Sequence, residues 1–221
     1  MSKEVTPIVE EYLEVIYKLQ EKKEVARTSD IVASLKVSPG TVTNTVERLE
    51  RDGLIVHVPY KGAKLTDKGQ RIALNVIRRH RLSERLLTDI LHVEWEKAHE
   101  AACKLEHAID NDVIKKLEKA LNHPKTCPHG NPIPTKCGGI IEEKSQPLVE
   151  LNVKESCMIM KVIEEKPELL HYLGTLGLVP NTKIEILDKA PFDGPITLKV
   201  GKANRVLSHE VASIIKVRRI E

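Results

Sequence analysis

The stretch SPGTVTNTVERLERDGLI, residues 38–55, carries its own start and stop signals. Ser38 is a residue type whose side chain can accept from a free backbone N–H at a helix start, and Pro39 suits the first helical position. Val42, Val46 and Leu49 recur at helical spacing, Thr41, Thr43 and Asn44 fall on the outward side, and Gly53 supplies the stop. Just upstream, RTSDIVASL (27–35) predicts another helix, capped by Thr28 or Ser29, with Ile31, Val32 and Leu35 turned inward. Only Lys36 and Val37 separate the two, which is a helix-turn-helix. Further out, Thr6 and Pro7 open a helix with the stripe Ile8, Tyr12, Val15, Ile16 and Leu19. On the other side, LIVHVPYKGAKLTDKG (54–69) reads as two short strands around Tyr60-Lys61-Gly62, followed by a helix capped by Thr66. Three helices and a hairpin predict a winged helix-turn-helix over residues 1–74.

In such a motif the second helix enters the major groove of duplex DNA. Ser38, Thr41, Thr43 and Asn44 are small or amide side chains suited to base edges, and Arg27, Pro39, Arg48 and Lys61 complete the expected DNA-contacting set. Charge agrees, because residues 1–81 hold 15 Lys/Arg against 11 Asp/Glu within a chain whose net charge is only +3. One Phe, one Trp and four Tyr provide too few aromatic platforms for single-stranded bases, so double-stranded DNA is the expected partner. No run is long and apolar enough to span a membrane, and the opening MSKEVTPIVEEYLEVIYKL is charged throughout. A cytoplasmic location is expected, without membrane association. Four cysteines without a CxxC pair fit free thiols or metal ligands.

Beyond residue 75 the pattern is helical, through NVIRRHRLSERLLTDIL, EKAHEAACKLEHAI and NDVIKKLEKAL. In the middle segment Ala98, Ala102, Leu105 and Ile109 make the apolar stripe, while His99, Cys103, Glu106 and Asp110 run down the opposite side with His107 beside them. A helix that buries two faces suits a dimer interface. Cys103, Glu106 and His107, at i, i+3 and i+4, offer a thiolate, a carboxylate and an imidazole to one cation, and His80 and Glu84 form a second such pair. Residues 75–141 are therefore expected to be a helical dimerisation and metal-binding domain. Pro124, Pro128, Pro132 and Pro134 exclude regular structure late in it. Cys127, His129 and Cys137 lie there too, without the paired spacing of a zinc knuckle. After a connector, EEKSQP (142–147), the strands CMIMKVI, KIEILD, ITLKVG, ANRVLS and SIIKVRRI and the short helix PELLHYLGTLG predict a small SH3-like β-barrel over 148–221. The fold class is mainly α with small β parts.

Together, EEYLEVIYKL, GTVTNTVERLERDGLI, RRHRLSERLL, AHEAACKLEH and CPHGNPIP resemble the metal-dependent transcriptional repressors typified by the diphtheria toxin repressor, the iron-dependent regulator and the manganese transport regulator. The resemblance covers essentially the whole chain. It implies ferrous iron or manganese as co-repressor, with two metal sites per subunit. A primary site would comprise Glu11, Cys103, Glu106 and His107, and an ancillary site His80, Glu84 and His99. In long members two residues of the C-terminal domain, three apart, cap the ancillary metal, and Glu168 with His171 is the match adopted here. Glu11 stands where iron-type members have methionine and is closer to the aspartate of manganese-type members, whereas Cys103 is iron-like. Glu14 also matches a manganese-type ligand, but reads as a surface glutamate. The family often has glutamine at the position of His171, and the CPHGNPIP loop is structural in it.

The expected function is a homodimeric, Fe(II)-responsive repressor that binds palindromic operators upstream of metal-uptake genes. The thiolate of Cys103 favours iron over manganese, and an Mn(II)-responsive regulator of the same family is the alternative. A winged-helix regulator that senses no metal would keep the DNA helix and leave the clusters without a purpose. A metallohydrolase would need an open coordination position and a general base, and no HExxH motif is present, so neither an enzyme nor a small-molecule substrate is expected.

Overall fold

The computed structural model describes residues 5–58 and 60–220. They form two compact units, the first running to Arg79 and including Pro134–Gly139, the second comprising His80–Ile133 and the chain from Ile140 onward.

In the first unit α1 (Pro7–Lys22), α2 (Thr28–Leu35) and α3 (Pro39–Arg51) bury Leu13, Ile16, Ile31, Val42 and Leu49 against one another. Burial of each such side chain contributes about 1.5–3 kcal/mol. Ser38 caps α3 by accepting from the Thr41 N–H at 3.2 Å. The cap position of α2 is Arg27, not Thr28 or Ser29, which are already helical, and its side chain makes no capping bond. Lys36 makes the turn in the left-handed region with φ 55°. The hairpin of β1 (Ile55–Val58) and β2 (Gly62–Leu65) pairs Ile55 with Leu65 and Val58 with Gly62. An isolated bridge between Ala26 and Ala63 fastens it to the segment before α2. Gly62 has φ +136°, and a Cβ there would lie 2.1 Å from the Ala26 carbonyl oxygen, so this close approach requires glycine.

Thr66 starts α4 (Asp67–Arg85), accepting from the Gly69 N–H at 3.1 Å. Within the first unit the Arg79 guanidinium lies 2.5 Å from Glu10 Oε1, joining α4 to α1. Glu14 is not a surface glutamate, because it is 7 % exposed and pairs with Lys18 at 2.8 Å. It falls one turn from Glu10 on the side of α1 that packs inward, which the stripe of apolar residues does not reveal.

The second unit begins with the last turn of α4, which runs into a π-helical turn at Leu86–Ile90. Then come α5 (Ala98–Leu105) and α6 (Asn111–Ala120). The helix expected through Ile109 ends at Leu105, because Asp110 turns extended and accepts from the Asp112 and Val113 N–H groups to start α6. The proline-rich stretch forms no helix or strand, and arginines of α4 hold it by its carbonyls: Arg81 donates to Pro132 O, and Arg85 to Thr126 O at 2.7 Å.

The chain then forms a six-stranded antiparallel sheet from β3 (Gln146–Pro147), β4 (Ser156–Val162), β5 (Lys183–Lys189), β6 (Ile196–Val200), β7 (Ala203–Leu207) and β8 (Ile215–Arg219). The strand order is β3-β8-β4-β5-β6-β7. The last two residues of the expected connector are thus an edge strand. Two helices, α7 (Pro167–Thr175) and α8 (His209–Ser213), close the core, which contains Leu148, Ile159, Leu170, Leu173, Ile186, Leu198 and Val217. The loop around Cys127–Asn131 is locked to β4. Gly130 has φ +86°, and a Cβ on it would meet Met160 O at 2.0 Å, while Val162 N–H donates to His129 O at 3.0 Å. Among the described residues no helix is long and apolar enough to cross a membrane.

Candidate metal centre

One turn of α4 places His80 and Glu84 on the same face, and α5 brings His99 to them. His80 Nε2 lies 3.0 Å from Glu84 Oε1 and 3.0 Å from His99 Nδ1, and His99 Nδ1 lies 3.2 Å from Glu84 Oε1. The segment before α7 adds Glu165, whose Oε2 is 3.1 Å from His99 Nδ1. The ligand atoms of His80, Glu84, His99 and Glu165 all fall within 4.8 Å of one another. Two imidazole nitrogens 3.0 Å apart cannot both present protons to each other. A cation between them, about 2.0–2.1 Å from each nitrogen and oxygen, would set such atoms roughly 3.3 Å apart. Glu84 is fully buried and its Oε2 has no hydrogen-bond partner. A buried carboxylate oxygen without a donor is costly, so donor set, spacing and orphaned oxygen all fit a divalent ion.

His80 Nδ1 faces Glu106 Oε2 at 2.6 Å. This contact orients the ring, with Nε2 turned toward Glu84, as outer-shell carboxylates orient metal-binding histidines. Electrostatics follow from the crowding. Burial opposes charge on His80, but Cys103, Glu106 and Glu84 outweigh it and hold its pKa well above the usual imidazole range. His99 meets the same opposition from burial and is raised to about 11 by Cys103, Glu165 and Glu84. Burial raises the Cys103 thiol, yet His80 and His99 bring it down to about 7. For Glu84 burial opposes the charge, and His129, His80 and His99 hold it well below the carboxylate range.

Cys103 Sγ lies 3.9 Å from His80 Nδ1 and 4.0 Å from His99 Nε2, so it joins these histidines in a second candidate set. Cys103, Glu106 and His107 do not gather their ligand atoms within 4.8 Å. Glu106, the C-cap of α5, keeps helical backbone angles and donates its N–H to Ala102 O, but its carboxylate is taken up by His80 through Oε2, and His107 Nε2 approaches its Oε1 at 3.3 Å. Glu11 is exposed on α1 of the first unit. Glu168 and His171 are exposed on α7, where His171 Nδ1 contacts Glu96 at 3.1 Å, away from the cluster. The carboxylate that the C-terminal domain brings to the cluster is Glu165. Its signal was present in the sequence, since Glu165 and Glu168 keep the same three-residue spacing as the pair matched above.

In the first unit Arg27, Ser38, Pro39, Thr41, Thr43, Asn44, Arg48 and Lys61 are all exposed. Ser38 and Thr41 share a hydrogen bond of 2.8 Å, and Thr43 donates to Pro39 O at 3.0 Å. Asn44 is exposed on α3, and its side-chain amide makes no hydrogen bond among the described residues.

Comparison with known proteins places three family models on the chain. The iron dependent repressor N-terminal DNA binding domain matches residues 4–63, the iron dependent repressor metal binding and dimerisation domain matches residues 66–135, and the FeoA domain matches residues 146–219. The iron-dependent repressor IdeR of Mycobacterium tuberculosis is 34% identical, over 98% of this chain and 99% of its own. Among solved structures, a manganese-dependent transcriptional repressor in complex with manganese has a TM-score of 0.87 and 27% identity, covering 96% of this chain and 100% of its own. ScaR with bound Cd2+ has a TM-score of 0.82 and 30% identity, covering 96% of this chain and 99% of its own.

Proposed function

The chain belongs to the iron-dependent repressor family and is a metal-dependent, DNA-binding transcriptional repressor, and from that premise we propose that Fe(II) is its activating metal, with Mn(II) the alternative. Cys103 supports iron. Its thiol is held at about 7 beside His80 and His99, so a thiolate is available near neutral pH, and thiolates favour the later, softer-tolerant ions of the divalent series. The alternative draws support from the carboxylates Glu84 and Glu165 and from the likeness to a manganese-dependent repressor.

His80, Glu84, His99 and Glu165 would hold one ion, with Glu106 fixing the His80 ring. The resemblance joins Glu11 to Cys103, Glu106 and His107 as a second ligand set. A bound divalent ion supplies the positive charge that lets this many carboxylates and unprotonated imidazoles stay buried together. A ligand set of the kind the resemblance implies, drawn from the first helix of the winged motif and from the dimerisation helices, would make metal binding and DNA binding one equilibrium, shifted only by the ion's differential affinity for the competent state. On the DNA side Thr41 and Asn44 read base edges, while Arg27, Arg48 and Lys61 contact phosphates of a palindromic operator bound by a homodimer.

Side-by-side operator titrations with Fe(II) and Mn(II) under anaerobic, reducing conditions test this. Fe(II) is expected to activate at the lower free concentration, and Glu11→Gln should fold and dimerise yet lose most metal-dependent retardation. Operator binding that ignores both metals would instead identify a winged-helix regulator that senses none.

A further inference from the structure

The hairpin of β1 and β2 ends in an aromatic ring. Lys61 N–H donates to Val58 O at 3.0 Å and closes a four-residue turn whose third residue is Tyr60, at φ 60°. That position in the left-handed region favours glycine, and a bulky residue held there is strained. The ring receives nothing from its own chain in return: Tyr60 is fully exposed, and its hydroxyl makes no hydrogen bond among the described residues. Backbone strain that serves no packing is typical of positions that meet a ligand. Exposed Lys61 stands beside the ring, and a cation next to a flat aromatic suits a nucleic-acid surface.

The base of the hairpin is fastened to the recognition helix. Leu54 N–H donates to Leu49 O at 2.9 Å and His57 N–H to Glu50 Oε1 at 3.1 Å, so β1 leaves α3 in one direction. Ala26 and Ala63 exchange N–H···O bonds of 3.0 and 2.9 Å, which tie β2 to the segment before α2. The turn is thereby held at a set place relative to Thr41 and Asn44. With α3 in the major groove, the reading on which this inference rests, a rigid finger beside that helix meets either the phosphates or the minor groove alongside. Lys61 serves the phosphates. Tyr60 has no charge to offer them, but its flat ring and hydroxyl match a narrow groove with a floor of acceptor atoms. We propose that Tyr60 enters the minor groove flanking each half-site and that its hydroxyl donates to adenine N3 or thymine O2. Both orientations of an A·T pair present these acceptors, whereas guanine adds a 2-amino group that stands up from the floor and blocks the approach. Tyr60 thus selects A·T over G·C at a position that α3 does not touch.

Duplexes selected from a random library by the full-length protein, loaded with Fe(II) or Mn(II), test this. The pair under the hairpin is the one whose sugars lose hydroxyl-radical protection in Tyr60→Ala. At that pair G·C should weaken binding at least about fivefold relative to A·T. Inosine·C, which keeps the major-groove face of G·C but lacks the 2-amino group, should restore it. Tyr60→Phe removes only the hydroxyl of a fully exposed ring, and should bind all three duplexes alike. Unchanged protection in Tyr60→Ala, equal affinity of the unaltered protein for the three pairs, or a preference that survives in Tyr60→Phe overturns the proposal. Asn44→Ala on the same duplexes separates this from the reading beneath it. If that variant loses discrimination within the half-site while the flanking pair has no effect, only the role of Tyr60 falls, whereas failure to enrich any duplex overturns both.

Discussion

His80 Nδ1 and Glu106 Oε2 share a hydrogen bond of 2.6 Å, although the sequence places them in different metal sites. The histidine at the heart of one cluster is thus oriented by a carboxylate expected at the other. Glu106→Gln keeps the shape and removes the charge. It should weaken metal binding by the His80 set about 10- to 100-fold, the usual cost of losing an outer-shell partner. Competition with a calibrated chelator measures this, and an unchanged affinity would show that the contact does not orient the ring.

Glu165 and His171 differ in the same way. Glu165→Gln should reduce affinity at the His80 set at least about tenfold, because a neutral amide replaces an anion among the ligands. His171→Gln, on an exposed side chain paired with Glu96, should change it by less than about twofold. Equal losses in the two variants would return His171 to the ligand set.

On the DNA face, Asn44→Ala should cost about 1–3 kcal/mol on the operator and little on random duplex. Retardation assays on both DNAs check it. If both affinities fell alike, Asn44 would be contacting the backbone and not a base edge.

The raised histidines give the metal-free protein a definite pH profile. A raised folded-state pKa contributes stability that is complete below the unfolded imidazole value of about 6.5 and is lost as pH rises toward the folded one. For His99 that upper limit is about 11. Chelator-treated protein should therefore melt at progressively lower temperature as pH rises above about 6.5. The depressed Glu84 acts in the opposite direction, its contribution present above about 4.3 and lost as pH falls further. Metal loading should remove the alkaline decline, since the ion replaces the protons. A melting temperature that stays flat above neutrality without metal would show that no histidine of the cluster keeps a raised pKa.

Much was legible because much is local. Ser38, Pro39, the Val42–Val46–Leu49 stripe and Gly53 define one helix from residues within a few turns, and the outward Thr41 and Asn44 follow from the same period. His80 and Glu84 were legible as a pair because one helical turn joins them. Local spacing misplaced a helix end, because one helix was read through Ile109, past the point at which Asp110 starts another. It also hid Glu14, whose burial depends on what packs over α1.

The sequence by itself determined the winged motif, the order of the helices and barrel strands, and the kinds of donor available for a metal. Tertiary structure decided which donors meet. Glu165 reaches His99 across 66 residues of chain and His129 reaches Glu84 across 45, as their numbers give. The physical reason is range: helix and strand periods fix directions only among near neighbours, whereas a metal-sized cluster closes when separate elements pack and buried charges must find partners.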